Sequence, residues 1–272
     1  MNVEAQAFRS LRAWHLALWF VAATLSTMCG IGGGLFCVPI LHFLLGMPLK
    51  LSTTTSLISV FAMTLIGTLA ELVQPGSAVV WPVVGWLCLG GLVGANVGQR
   101  VSRRIDPTAL TWVFALAMCG AGIRVLSTSQ GHVDAANLLA LHLDSKHALG
   151  IVAIGFAGGF VAPLLGVGGG LIVVPALFLG VPGMTYLAAR ASSTAMSVAN
   201  SAQLNWMNLR AGKVHRASAV PFSIVAGCGA VAGILLVHRP GWSDAARSMM
   251  GVMLLAVGAK FAWSGWRSRK TR

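Results

Sequence analysis

The segment Gly30-Ile31-Gly32-Gly33-Gly34, closed by Pro39, recurs as Gly166-Val167-Gly168-Gly169-Gly170, closed by Pro175. Glycine has no Cβ, so it accepts left-handed backbone angles and lets another backbone or a solute come close. In apolar surroundings such a run breaks the helix that carries it. The freed backbone groups must then find partners in protein, water or solute. A helix restarting after Gly34 or Gly170 would aim its first N–H groups and the positive end of its dipole into the gap, which suits an anion. Gly32, Gly33, Gly34, Gly168, Gly169 and Gly170 are therefore candidate substrate-binding residues. Small residues also serve plain close packing between membrane helices, but a duplicated run ended twice by proline favours the binding reading. No Gly-Lys-Ser/Thr follows either run, which excludes a phosphate loop.

Polar side chains gather downstream of each run. After Gly46-Met47-Pro48 come Ser52 to Ser56, and after Gly180-Val181-Pro182 come Ser192, Ser193 and Thr194. Hydroxyls at helix starts cap or bond back to the preceding turn. Thr55, Ser56, Ser193 and Thr194, the deepest of them, are also candidates to donate to solute oxygens. Ser193, Ser197 and Asn200 fall on one stripe of a helix, and such a stripe must face protein or a wet path rather than lipid. Arg190 reads as a snorkelling anchor at a helix end, or as the cationic attractor for an anion. Glu71 is expected to pair with a basic loop residue, with the carriage of a coupling proton as its other role. The five cysteines show no CxxC spacing and read as reduced and buried; Cys29, beside the first glycine run, has Leu165 as its counterpart. The seven histidines form no ligand pattern, so no metal, cofactor or catalytic residue is expected.

These residues need a membrane around them. Of 272 residues, 56% are hydrophobic and 9% charged, and the mean hydropathy is +0.80. A soluble domain carries roughly 25% charged residues. Apolar runs of about 15 to 25 residues fit spanning helices rather than the ~10-residue alternating strands of a barrel. The net charge of +13 sits between apolar runs and at the C-terminus, as the positive-inside bias requires, so no nucleic-acid partner is implied. Arg9 and Arg12 before an apolar stretch mimic a signal peptide. No cleavage site follows, and the matching stretch near Ile151 lies mid-chain, so the segment is read as mature structure.

The expected fold is an all-α polytopic membrane protein built of two inverted repeats, each a Gly-rich broken or re-entrant helix pair plus three transmembrane helices. The first repeat takes residues 1–127, with a re-entrant segment at 14–47 and spans at 51–73, 78–99 and 107–126. A polar linker follows at 128–146. The second repeat takes 147–272, with a re-entrant segment at 148–182 and spans at 187–209, 217–237 and 244–266. If each glycine segment crossed the membrane once, the 19 Lys and Arg would divide twelve to seven; as re-entrant hairpins they divide fourteen to five. The positive-inside rule favours the hairpins, with both termini cytoplasmic. Three crossings per repeat then invert one copy against the other, which puts a site near the midplane at the repeat interface.

The duplicated Gly-x-Gly-Gly-Gly-x-x-x-x-Pro, the Gly-x-Pro that follows, the Thr-Ser helix start and Gly212-Lys213-Val214 resemble the TauE/SafE sulfite exporter family, also called the toluene-sulfonate uptake permeases. The resemblance runs over nearly the whole chain. It implies a bacterial inner-membrane permease for a small sulfur-containing anion such as sulfite or an organosulfonate, by alternating access around the two glycine breaks. A proton or sodium ion is the candidate coupling ion, and the oligomeric state stays open. The start Arg190-Ala191-Ser192-Ser193-Thr194 departs from the family's Gly-Thr-Ser form. The alternatives are an anion channel and a thiol-assisted importer using Cys29. Leucine at Gly33 or Gly169 is expected to abolish flux while the protein stays folded.

Overall fold

A computed structural model describes residues 12–101, 107–127, 145–212 and 214–270, so most of the linker expected at 128–146 lies outside the described residues. The described residues form ten α-helices and no strand: α1 Ala13–Cys29, α2 Gly34–Pro39, α3 Leu49–Val73, α4 Trp81–Val101, α5 Pro107–Ser127, α6 Ser145–Leu165, α7 Gly170–Gly180, α8 Tyr186–Arg210, α9 Arg216–Val237 and α10 Trp242–Lys270. Four of them, α3, α4, α6 and α9, are long and apolar enough to cross a membrane. Leu89, Val93, Leu116, Ile224, Leu235 and Val252 face outward. Apolar side chains turned out along several helices fit a lipid solvent, and the chain is a polytopic membrane protein.

Cross-helix hydrogen bonds sort the helix termini into two ends. At one end Glu71 of α3 meets Arg190 of α8 and His238 just past α9. There too the Val80 N–H before α4 donates to Ser192 Oγ at 3.1 Å, and Arg247 of α10 donates to Val125 O of α5 at 3.0 Å. At the other end His215 N–H donates to Thr55 Oγ1 at 3.2 Å, Gln99 of α4 to Asn208 of α8 at 3.0 Å, and the Trp19 indole of α1 to Phe222 O of α9 at 2.8 Å. Helices α3 and α8 therefore cross antiparallel through the centre, as do α5 and α10 at the side.

The remaining helices pack in exchange. α1 lies along α9, and α6 lies along α4, each pair parallel. α4 presents Gly90, Gly94 and Gly98 to the carbonyls of Val152, Phe156 and Phe160, while Gly155 and Gly159 of α6 face Leu87 and Gly91 in return. Glycine at every fourth position gives a flat face on which two backbones touch, and lipid-embedded helices associate by such contacts rather than by a hydrophobic drive. α1 and α3 begin at the Thr55 end, while α6 and α8 begin at the Glu71 end.

Within the segment expected at 14–47, helix α2 is short and ends at Pro39. Pro39 has no N–H to donate, and the chain continues as a π-turn over Ile40–Leu44, closed by Leu45 N–H on Ile40 O at 3.4 Å.

A side chain at Gly94 must drive into the Phe156 carbonyl, whereas one at Gly85 on the same helix meets nothing within 4 Å. Gly94→Leu is expected to destabilise by about 3 kcal/mol or more, since backbone rather than a rotamer has to move. Gly85→Leu is expected to be neutral or slightly stabilising. Melting curves and size-exclusion profiles in detergent measure both, and equal melting points would refute the packing account.

Candidate functional site

The two glycine runs fold alike and meet. α1 ends at Gly30, whose φ of 70° is left-handed; its N–H donates to Thr27 O and the Ile31 N–H reaches back to Ser26 O, a glycine-ended C-cap. α6 ends at Gly166 in the same way, with φ 71°. Gly33 and Gly169, at φ 73° and 104°, then start α2 and α7. A Cβ added at Gly34 would strike the carbonyl of Gly166, and one at Gly170 would strike that of Gly30. The breaks are thus pressed backbone to backbone, reciprocally. Val60 of α3 and Ser197 of α8 flank the contact, where both lie close to Gly168. In this arrangement Gly34 N–H is committed to Gly32 O at 2.9 Å.

Beside the first break lies a buried cation. Arg190 is 0% exposed, so the snorkelling reading is corrected: the first turns of α8 lie inside the bundle, and the guanidinium has no route to an interface. Its Nη2 donates to Glu71 Oε2 across 119 positions of sequence. Among the described residues its Nε and Nη1 have no hydrogen-bond partner. Glu71, also buried, accepts from the Ala78 N–H at 3.4 Å and shares a 3.0 Å hydrogen bond with His238. Glu71, expected to pair with a basic loop residue, pairs both with His238, in the turn after α9, and with Arg190, a helix residue. Arg190 Cα and Cγ pack where a Gly30 side chain would stand. The first break therefore packs against the backbone and the side-chain stem of Arg190.

The polar stripe of α8 runs inward from Arg190. Ser193, Ser197 and Asn200 are 0–1% exposed, and Ser193 Oγ, Ser197 Oγ and both amide atoms of Asn200 lack partners. Most buried polar atoms in proteins are hydrogen-bonded, so a row that is not points to water, ion or ligand. The other hydroxyl candidates are engaged locally. Thr194 Oγ1 donates to Arg190 O at 2.9 Å, Ser56 Oγ to Thr53 O and Gly166 O, and Thr55 Oγ1 accepts from His215 N–H. Cys29 is buried, its thiol directed at Ala246 O at 3.7 Å. Sequence reasoning missed His238 and the sole tyrosine, Tyr186, whose hydroxyl donates to Met28 O at 3.0 Å at the end of α1. Their partners lie 167 and 158 positions away, so no local pattern marks them. Among the described residues no group of three His, Cys, Asp or Glu could hold a metal ion.

The contact geometry revises what substitution at the breaks does. A Cβ at Gly169 falls 2.8 Å from Gly158 O, a backbone atom, and one at Gly33 meets Met63 Sδ at 2.7 Å with Trp19 behind it. Leucine at either position is a folding defect before it is a transport defect. The sharpest discriminator is Gly34→Ala, which adds one methyl group against the Gly166 carbonyl. It is expected to lower the yield of monodisperse protein, whereas Gly180→Ala, with nothing within 4 Å of its added carbon, leaves yield unchanged. Fluorescence-detected size exclusion reads both.

Known proteins support the reading of a transporter. The sulfite exporter TauE/SafE family matches residues 2–125 and 151–272. A protein of Xylella fastidiosa strain 9a5c, described as "Probable membrane transporter protein", is 26% identical over 250 residues, covering 89% of this chain and 91% of its own. A second, from strain Temecula1, shares 26% identity over 252 residues with the same coverage. One from Haemophilus influenzae with the same description shares 26% over 152 residues, 55% of this chain and 54% of its own. No solved structure matches the chain significantly. With nearly all of its length accounted for by that family, the chain is a membrane transporter of the sulfite exporter TauE/SafE family.

Proposed function

We propose that this protein is a secondary transporter of a small sulfur-containing anion, sulfite or an organosulfonate, bound where the two glycine breaks cross beside Arg190. The observation that carries the proposal is the buried guanidinium with Nε and Nη1 unpartnered. A desolvated cation is expensive, and the carboxylate contact through Nη2 leaves the Nε and Nη1 donors unused. An oxyanion with several oxygens can accept a charge-assisted hydrogen bond from either of these edges of the guanidinium. Ser193, Ser197 and Asn200 supply further donors along the stripe, and Gly32–Gly34 with Gly168–Gly170 supply the compact, side-chain-free floor.

Alternating access is the mechanism that we propose, and the helix directions support it. Repeated helices run in opposite senses, α3 against α8 and α4 against α9, and each glycine hairpin returns to its own end; the two copies act as inverted repeats with re-entrant hairpins entering from opposite faces. In the present arrangement the stripe is buried along its length, which corresponds to an occluded state. We place the protein in the bacterial inner membrane with both termini cytoplasmic, on the distribution of its basic residues.

Two outcomes test the site. In proteoliposomes with labelled sulfite, Arg190→Gln is expected to weaken transport roughly 10- to 100-fold, the worth of a charge-assisted contact. Alone it also removes the guanidinium from the buried Glu71, which keeps only His238 and the Ala78 N–H, at a cost of up to about 3–5 kcal/mol. Arg190→Gln/Glu71→Gln should therefore melt closer to the unaltered protein and still not transport; restored flux would overturn the role of Arg190. Cys29→Ser is expected to keep flux within about twofold, because a hydroxyl reproduces the hydrogen bond to Ala246 O. Loss of flux in that variant would instead favour thiol-assisted import. Saturable flux that accumulates against a gradient separates a carrier from a channel.

A further inference from the structure

We propose that Glu71, with His238 behind it, is a proton-binding site that competes with the anion for Arg190, so that one proton and one monovalent anion load together. This rests on the anion-site reading above and adds its co-substrate.

The argument begins with charge. Glu71 and Arg190 come from different helices, are 1% and 0% exposed, and neutralise one another; the His238 side chain, 15% exposed, touches the second carboxylate oxygen. An anion arriving at Arg190 with Glu71 still ionised would leave a net negative charge buried among three helices. Low-dielectric surroundings oppose that strongly. A proton on Glu71 removes the excess: the carboxyl then donates to or accepts from its neighbours as a neutral acid, and the guanidinium carries the anion alone. The cluster is neutral empty and neutral loaded. When the anion leaves, the carboxylate returns to Arg190 and the proton departs, with His238, the most exposed member, as its route.

The other ionisable groups near Arg190 do not serve. The Cys29 thiol is turned to Ala246 O, the Tyr186 hydroxyl donates to Met28 O, and Arg247 bonds Val125 O with Asp244 at 3.8 Å. The opposite end of the molecule shows what the device lacks when it is absent. Residue 208 holds on α8 the position that residue 71 holds on α3, counted from Tyr186 and Leu49. It is an asparagine whose Oδ1 accepts from Gln99, so a neutral amide pair stands there in place of the buried carboxylate.

The test uses purified protein and three probes: sulfite, sulfate and methanesulfonate at about 10 mM. Melting temperatures are read near pH 5.5 and near pH 8, which changes the supply of protons while sulfate and methanesulfonate keep their charge. The unaltered protein is expected to be stabilised by the anions at the lower pH and much less at the higher. Glu71→Gln, which fixes the neutral acid form, should be stabilised equally at both. Where that variant does not fold, protons taken up by the unaltered protein in weak buffer decide: about one per methanesulfonate bound, an anion that keeps its own charge over this range. Anion binding without pH dependence or proton uptake would overturn the proton site and leave the anion site standing. No stabilisation by any probe at either pH would overturn both.

Discussion

Two broken chains touching through their backbones set the terms for everything around them. Gly34 lies on the Gly166 carbonyl and Gly170 on the Gly30 carbonyl, so no side chain fits between the breaks. Each contact specifies the other, because a shift that relieves one opens its counterpart. The left-handed angles at Gly30, Gly33, Gly166 and Gly169 make the turns, and hydrogen bonds within each run hold them. The crossing of α3 over α8 at Val60 and Ser197, and the parallel seams of α1 on α9 and α6 on α4, are then the ways left to cover the hairpins.

That arrangement explains why polar groups collect on α8. With apolar faces required outward, the inner face of a central helix is where serine, asparagine and arginine can be carried at membrane depth. The stripe therefore lies against the breaks by construction, and Arg190, one turn into the helix, falls beside Gly30. Glu71 reaches it from the last turn of the antiparallel partner. Antiparallel crossing brings the start of one helix to the end of the other, so the same geometry that packs the core brings cation and carboxylate together.

Much of this was legible in the chain itself. Helix limits follow the apolar runs to within a few residues, and the duplicated glycines mark both breaks, because backbone conformation at a break is a local property of residues without Cβ. The stripe through Ser193, Ser197 and Asn200 follows from helical periodicity alone. What escaped was non-local. Arg190 at a helix start looks like an interfacial anchor until the fold places that start inside, and its carboxylate partner stands 119 positions away. His238 looks like any loop histidine. The π-turn after Pro39 was hidden too, since proline announces a lost hydrogen bond but not how the next turn repairs it.

The exchanged packing of the two copies has a consequence for biosynthesis. Trp19 on α1 donates to the carbonyl of Phe222, 203 positions further along the chain. At ribosomal speeds of about 5–20 residues per second, α1 waits on the order of 10–40 s in or beside the membrane before its partner helix is translated. α4 waits for α6 in the same way, its glycine face open to lipid. Neither copy can finish folding when its own last helix emerges, so assembly is a single late event that closes around the breaks, and the insertion machinery must keep α1 from mispairing until α9 arrives.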